Sequence, residues 1–222
     1  MAGRPAAGGG RWIDVAPERL PGWLDRFTAR HGLDVAWGAV PAEQDGVVRL
    51  VCLDGAVAEL TPPPGAPAVT NLDEFVAVAQ APRRLGLLLA RTASVAVGVA
   101  HGARLEASKV DTSYVQSRTA AGGWSQQRYA RRRANQAKAA ASAGAEIAVR
   151  LLLPVVSELA AVVTGGDRRA VDAILADRRL APVAARRAER FLDVAEPRLA
   201  VLRDAVAAAR AVRIVVRDEP GS

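Results

Sequence analysis

The sequence predicts an α/β protein, a mixed β-sheet flanked by helices, with a small α+β region ahead of it. Three observations predict this class. From about residue 85 onward, extended and helical stretches alternate, as they do in layered α/β architectures. Three of the extended stretches, Leu85–Arg91, Ser94–His101 and Arg104–Tyr114, are parted by the two-residue breaks Thr92-Ala93 and Gly102-Ala103, the spacing of an antiparallel meander. Finally, 50% of the 222 residues are hydrophobic but only 4% are aromatic, so a full core is available and must be built from Ala, Val and Leu.

Taken in order, residues 1–10 read as a flexible tail and 11–70 as the small α+β region. Within it, the extended Trp12–Val15 is followed by Pro17 and a helix ending near His31-Gly32. Leu20, Trp23, Leu24 and Phe27 recur there at helical spacing. Val35–Val40 and Val47–Leu53 read as strands, and Asp54-Gly55 turns the second of them into Ala56–Leu60 as a hairpin. Thr61-Pro62-Pro63-Pro64-Gly65-Ala66-Pro67 continues neither strand nor helix and marks a boundary, after which 71–222 reads as the main domain. That domain opens with a helix over Leu72–Gln80, capped by Asn71 or Asp73, before the meander. Val115–Gly123 is a polar, glycine-ended loop, and a long helix runs from Ser125 to about Leu153, where Pro154 kinks or ends it. Strand-like Leu159–Thr164 leads into Gly165-Gly166-Asp167, a turn with a helix cap. A helix from Arg168 to about Ala176, a strand over Phe191–Val194, a helix over Pro197–Arg210 and a last strand over Val212–Val216 complete the chain.

Composition excludes several classes. One cysteine, Cys52, forms no internal disulfide framework and fits a reducing compartment. His31 and His101 stand far apart, so a His-rich metal site is not expected, nor is any cofactor. No secretory leader is read at Met1–Gly10, and Arg91, Arg150 and Glu158 interrupt the longest apolar runs, so the expectation is a cytoplasmic protein that spans no membrane. Gly-x-Ser-x-Gly, His-Glu-x-x-His, Cys-x-x-Cys and Walker-type loops do not occur.

The charge is focused rather than spread. Lys and Arg number 30 against 23 Asp and Glu, a net of +7. Between Asp111 and Glu146 no acidic residue occurs, while Arg118, Arg128, Arg131, Arg132, Arg133 and Lys138 all lie there, so the surplus sits almost entirely in that stretch. A focused cationic segment points to a polyanion. At about 100° per residue, Arg128, Arg131, Arg132, Asn135 and Lys138 share roughly 120° of the long helix. Ala130, Ala134, Ala137, Ala141, Ala145 and Ala148 form a narrow stripe opposite, suited to close packing in a core. The cationic face is then free to meet phosphates.

Immediately before this helix stands Gly122-Gly123-Trp124-Ser125-Gln126-Gln127-Arg128-Tyr129-Ala130-Arg131. Paired glycines let a loop tip enter a narrow space or bring its amides against a substrate. The run resembles the catalytic domain of archaeal and eukaryotic release factors, where Gly-Gly-Gln on a loop is followed by Arg-Phe-Ala-Arg opening a long helix. It looks most like the bacterial, mainly actinobacterial, branch of the VLRF group of release-factor-like peptidyl-tRNA hydrolases, over roughly Leu85 to Val216. The resemblance implies a ribonuclease-H-like sheet and release of nascent chains from stalled large ribosomal subunits. It also implies contact with ribosomal RNA and peptidyl-tRNA through Arg118, Trp124, Arg128, Arg131, Arg132, Arg133 and Lys138.

One departure stands out. Aligned without gaps on the Arg-aromatic-Ala-Arg run, the family's glutamine column holds Trp124, and the glutamines come at Gln126 and Gln127. Either a re-registered loop brings one of them to the reaction centre, Gln126 being nearer the tip, or this branch works differently. Trp124 either stacks on a base or tucks back against the loop. An ester of ribose is already reactive, so placing a water and stabilising an oxyanion suffices, and Gly122, Gly123 and a neutral glutamine can supply both. The alternative is a non-catalytic ribosome- or RNA-binding protein of the same fold.

Overall fold

The structure, a computed structural model, describes residues 4–6, 9–32, 40–41, 46–91, 94–112 and 125–217, without the side chains of 40–41 and 125–134. Contacts divide the chain into two units, Met1–Pro82 with Arg210–Ser222, and Arg83–Ala209. The division differs from the 71–222 span expected from sequence, because the helix after the proline loop and the last strand both belong to the first unit.

That unit contains β1 (Arg4–Pro5), β2 (Arg11–Val15), α1 (Leu20–His31), β3 (Val40–Pro41), β4 (Val48–Val51), β5 (Val57–Thr61), α2 (Leu72–Gln80) and, from the far end of the chain, the closing strand Val212–Arg217. Part of the expected flexible tail is therefore β-structure: β1 pairs antiparallel with β2 across Gly9 and Gly10, whose φ angles of 88° and 90° only glycine adopts freely. Of the expected strand Val35–Val40, only Val40 lies within the described residues. β4 and β5 form the hairpin, with Asp54 accepting from the Ala56 N–H at 3.0 Å in its turn. Asn71 caps α2 by accepting from the Glu74 N–H at 2.8 Å, and Glu74 answers by accepting from the Thr70 N–H. Leu20, Leu24 and Phe27 of α1, with Leu72 and Phe75 of α2, pack on Leu50, Ala58, Leu60 and Ile214.

The second unit continues with β6 (Arg84–Arg91), β7 (Ser94–His101), β8 (Arg104–Thr112), α3 (Ser125–Leu151), β9 (Ala161–Gly166), α4 (Arg168–Leu175), α5 (Ala181–Ala184), β10 (Arg187–Leu192) and α6 (Leu199–Arg210), leaving β11 as the name of the closing strand. Its sheet has the order β10-β9-β6-β7-β8. β6, β7 and β8 are the antiparallel meander, and β9 and β10 extend it in parallel on the other side of β6. This is the mixed β-sheet flanked by helices that the sequence predicts. Alternation then sorts the strands' side chains between two helical layers. Leu88, Val97 and Val162 face Ala145 and Ala148 of α3, Leu152 just after it and Ile174 of α4, while Leu87, Leu89, Ala96 and Val163 face Leu202, Ala205 and Val206 of α6. The long helix ends at Leu151, and a 3-10 turn over Leu153–Glu158 carries Pro154 at its start.

Two elements differ from the sequence reading. β10 begins at Arg187, four residues before the expected strand, because Arg187 pairs with Asp172 at 2.6 Å and the buried Arg190 donates to the carbonyls of Ala208 and Ala209. β11 lies between β2 and β5 in the first unit's sheet.

Candidate nucleic-acid interface

At about 1.5 Å per residue, a helix of α3's 27 residues is about 40 Å long. An eight-residue strand such as β7 spans only about 27 Å, so α3 outruns the sheet that supports it. Its C-terminal half is the part that packs: Ala145, Ile147 and Ala148 are buried and Ala141 is partly so. Gly144 brings α3 against α4, since a Cβ there would stand 2.7 Å from Ile174 Cδ1. Asn135, Gln136, Ala137, Lys138 and Ala139 are all exposed. The alanine stripe is thus core from Ala141 onward, whereas Ala137 is not, contrary to the expectation that one face would be buried throughout.

The expected site residues fall into three groups. Lys138 is exposed on α3. Gln126, Gln127, Arg128, Arg131, Arg132 and Arg133 belong to the first turns of α3, with their side chains outside the description, so both glutamines stand on the helix rather than ahead of it. Arg118, Gly122, Gly123 and Trp124 lie outside the described residues. An α-helix leaves its first four N–H groups without intrahelical partners and carries partial positive charge there. In α3 those groups belong to Ser125, Gln126, Gln127 and Arg128, and no acidic side chain occurs in the turn.

The packed end of α3 is tied to its neighbours by ions. Arg179, in the 3-10 turn after α4, reaches Glu146 of α3 at 2.6 Å and Asp177 at 2.7 Å. The guanidinium's hydrogen bond, then the Arg179 N–H, lower the Asp177 carboxyl to about 2. A carboxyl whose folded value lies below its unfolded one stabilises above the unfolded value and loses that contribution as pH falls through the folded one. The gain from this clamp is therefore complete above the ordinary 3.8 and disappears toward about 2. Asp177→Asn is expected to lower the urea midpoint at about pH 6 but to match the wild type near pH 2, and equal midpoints at both would refute the clamp.

Sequence reasoning placed Gly165-Gly166-Asp167 as a turn and cap, and it is one. Gly166 has φ 96°, and Asp167 Oδ1 accepts from the N–H groups of Arg169 at 2.8 Å and Ala170 at 3.4 Å. His101 is exposed, and His31 lies against Asp54 at 2.7 Å. Among the described residues no three His, Cys, Asp or Glu side chains converge to hold a metal ion, and no helix is long and apolar enough to cross a membrane.

Residues 83–215, more than half of the chain, match the family model described as "Actinobacteria/chloroflexi VLRF1 release factor". No curated protein matches. Among solved structures, an archaeal protein is similar at 18% identity and TM-score 0.40, with 72% of this chain covering 51% of that one. The archaeal translation termination factor aRF1 is similar at 15% identity and TM-score 0.41, with 90% of this chain covering 65% of that one. The chain thus spans between half and two thirds of the length of these structures. With the mixed sheet, the long helix behind Gly122-Gly123 and a family match that covers the whole second unit, the chain belongs to the VLRF1 release factor family of actinobacteria and chloroflexi.

Proposed function

We propose that the protein is a ribosome-associated peptidyl-tRNA hydrolase that frees nascent chains from stalled large subunits. The observation that carries this reading is the run from Gly122 to Arg131 at the head of a helix whose following residues Asn135–Ala139, Lys138 among them, are exposed. In the reaction, water attacks the ester carbonyl, the negative charge on its oxygen is stabilised, and the C–O bond to ribose breaks. The ribose oxygen leaves with a proton and the peptide leaves as its carboxylic acid. Gly122 and Gly123 give the loop access, while Gln126 or Gln127 positions the water or donates to the oxyanion. Arg118, Trp124, Arg128, Arg131, Arg132, Arg133 and Lys138 hold the RNA. The partners are the RNA of the large subunit and peptidyl-tRNA, in the cytoplasm, and no cofactor enters.

The test is peptide release from purified large subunits carrying peptidyl-tRNA, where the protein is expected to turn over catalytically. A second reading, ribosome binding without hydrolysis, is favoured by Trp124 in the glutamine column. Binding with no release above the protein-free control would establish it in place of the first.

Both readings share one quantitative expectation. Replacing Arg131, Arg132 and Arg133 with glutamine removes three phosphate-pairing charges, and each is worth roughly 0.7–0.9 in the slope of log affinity against log salt. Ribosome binding is therefore expected to weaken and its salt slope to flatten by about 2 to 3. An unchanged slope would remove this helix from the interface.

A further inference from the structure

Small side chains on two closely held helices leave a void between them. α3 and α4 are drawn together at Gly144 and Ile174, and beside that point they face each other through Ala137, Ala140 and Ala141 on one side and Ala170 and Ala173 on the other. The space between them, open on one side to solvent, is about 160 Å³. Its floor is the end of the sheet: Ala90 and Arg91 finish β6, Ser94 and Val95 begin β7, Asp111 lies near the end of β8, and Asp167 follows β9. This is where the topology reverses. From β6 the chain runs to β7 and β8 on one side and, after α3, returns to β9 and β10 on the other. In open α/β sheets the crevice outside the carboxyl ends of the strands beside such a reversal is the usual place for a ligand.

The lining defines the ligand's chemistry. The walls are methyl groups, suited to the faces of a flat ring. A cavity of about 150 Å³ holds one benzene ring, so this one admits a single six-membered ring with its exocyclic groups. The rim carries both signs. Arg169 is exposed at the first turn of α4, while Arg91 is held by the Val194 carbonyl at 3.0 Å and by Asp193 at 3.9 Å. Asp167 spends Oδ1 on capping α4, and Ser94 donates to Glu196, which leaves half-buried Asp111 as the acceptor and Arg169 as the cation best placed to serve a ligand. A carboxylate for hydroxyl donors, a guanidinium for an anion and a ring-sized apolar slot together describe a nucleotide.

We propose that this cavity takes one pyrimidine nucleotide, its base between the alanines, its ribose hydroxyls donating to Asp111 and its phosphate paired with Arg169. The proposal does not rest on the hydrolase reading. Absence of peptide release leaves it standing, and its own failure leaves peptide release untouched. Two sources share the chemistry, a free nucleotide and a nucleotide within an RNA strand.

Calorimetry on the full chain tests it, with cytidine monophosphate, cytidine, adenosine monophosphate and a short oligocytidylate as probes. Cytidine monophosphate is expected to bind with a Kd below about 1 mM. Ala140→Leu, which fills the slot with a good helix former, is expected to abolish that binding while the thermal midpoint holds or rises. Arg169→Gln is expected to weaken the monophosphate about tenfold and to leave cytidine unchanged, because only the phosphate pair is lost. Tighter binding of the oligocytidylate, with the excess lost in Ala140→Leu, assigns the site to an RNA strand, and equal binding assigns it to the free nucleotide. A monophosphate Kd above about 1 mM overturns the proposal. So does wild-type affinity in Ala140→Leu, or adenosine monophosphate binding as tightly as its pyrimidine counterpart.

Discussion

Peptide release is expected to fall at least about 100-fold when Gln126 and Gln127 are both replaced by alanine, with ribosome affinity and thermal unfolding unchanged. The size follows from what a side-chain amide does in an acyl-transfer site. Removing one donor from an oxyanion hole costs about 10²–10³ in rate, and a mispositioned water costs more. Stability should hold because both residues stand in the first turn of α3, where alanine is the best helix former. Binding should hold because neither residue is charged. The double variant is the decisive form, since neighbouring glutamines can substitute for one another in the single ones. The alternative donors are the backbone N–H groups at the start of the helix, which alanine keeps. Release within about threefold of wild type would transfer the oxyanion to those groups and end the glutamine assignment.

The second large effect is on folding. Gly166→Ala is expected to destabilise the second unit by more than about 3 kcal/mol, out of the 5–15 that hold an average domain together. Gly166 has φ 96°, where a side chain costs about 1–3 kcal/mol by itself. A Cβ there would stand 2.2 Å from the carbonyl oxygen of Ala90. That oxygen accepts from the Asp167 N–H at 2.7 Å, and Ala90 and Gly166 are register partners of the parallel β6–β9 pair. The methyl must therefore push apart two central strands or break their last hydrogen bond. In a chain of this size the loss should lower the thermal midpoint by about 10 °C. Gly9→Ala is the control: its φ of 88° is similar but nothing lies within 4 Å of the added carbon, so only the conformational cost remains. Equal midpoints for the two variants would show that the close approach to Ala90 carries no weight.

The contrast between these two sites mirrors what sequence can and cannot carry. Helices and strands were legible wherever the pattern is local. The two-residue breaks predicted the β6–β7–β8 meander, and Asn71 and Asp167 marked the helix starts they cap. β10 was legible only in part. Its first half, Arg187-Ala188-Glu189-Arg190, is charged because Arg187 answers Asp172 and Arg190 closes the carbonyl end of α6, so no apolar alternation announces it. The pairing of β11 with β2 and β5 was not legible at all, since a short, mainly apolar strand such as Val212–Arg217 fits many sheets and its partners lie about 200 and 150 residues away. At the candidate interface, charge focus and the Gly-Gly run were readable as residues. The cavity under α3 was not, because it consists of missing volume among residues spread from Ala90 to Ile174, and no periodicity encodes a gap.

β11 also governs how this protein is made. It is the strand that joins β1–β2 to β5–β4–β3, and it is made only after the whole second unit. Until it emerges, the leading segment of the chain holds two half-sheets with bare inner edges, exposed through the whole synthesis of the unit between them. Clipping the C-terminus just before Val212 would strike the opposite end of the polypeptide hardest, leaving Val15 and Leu60 facing water in place of Ile214 and Val212.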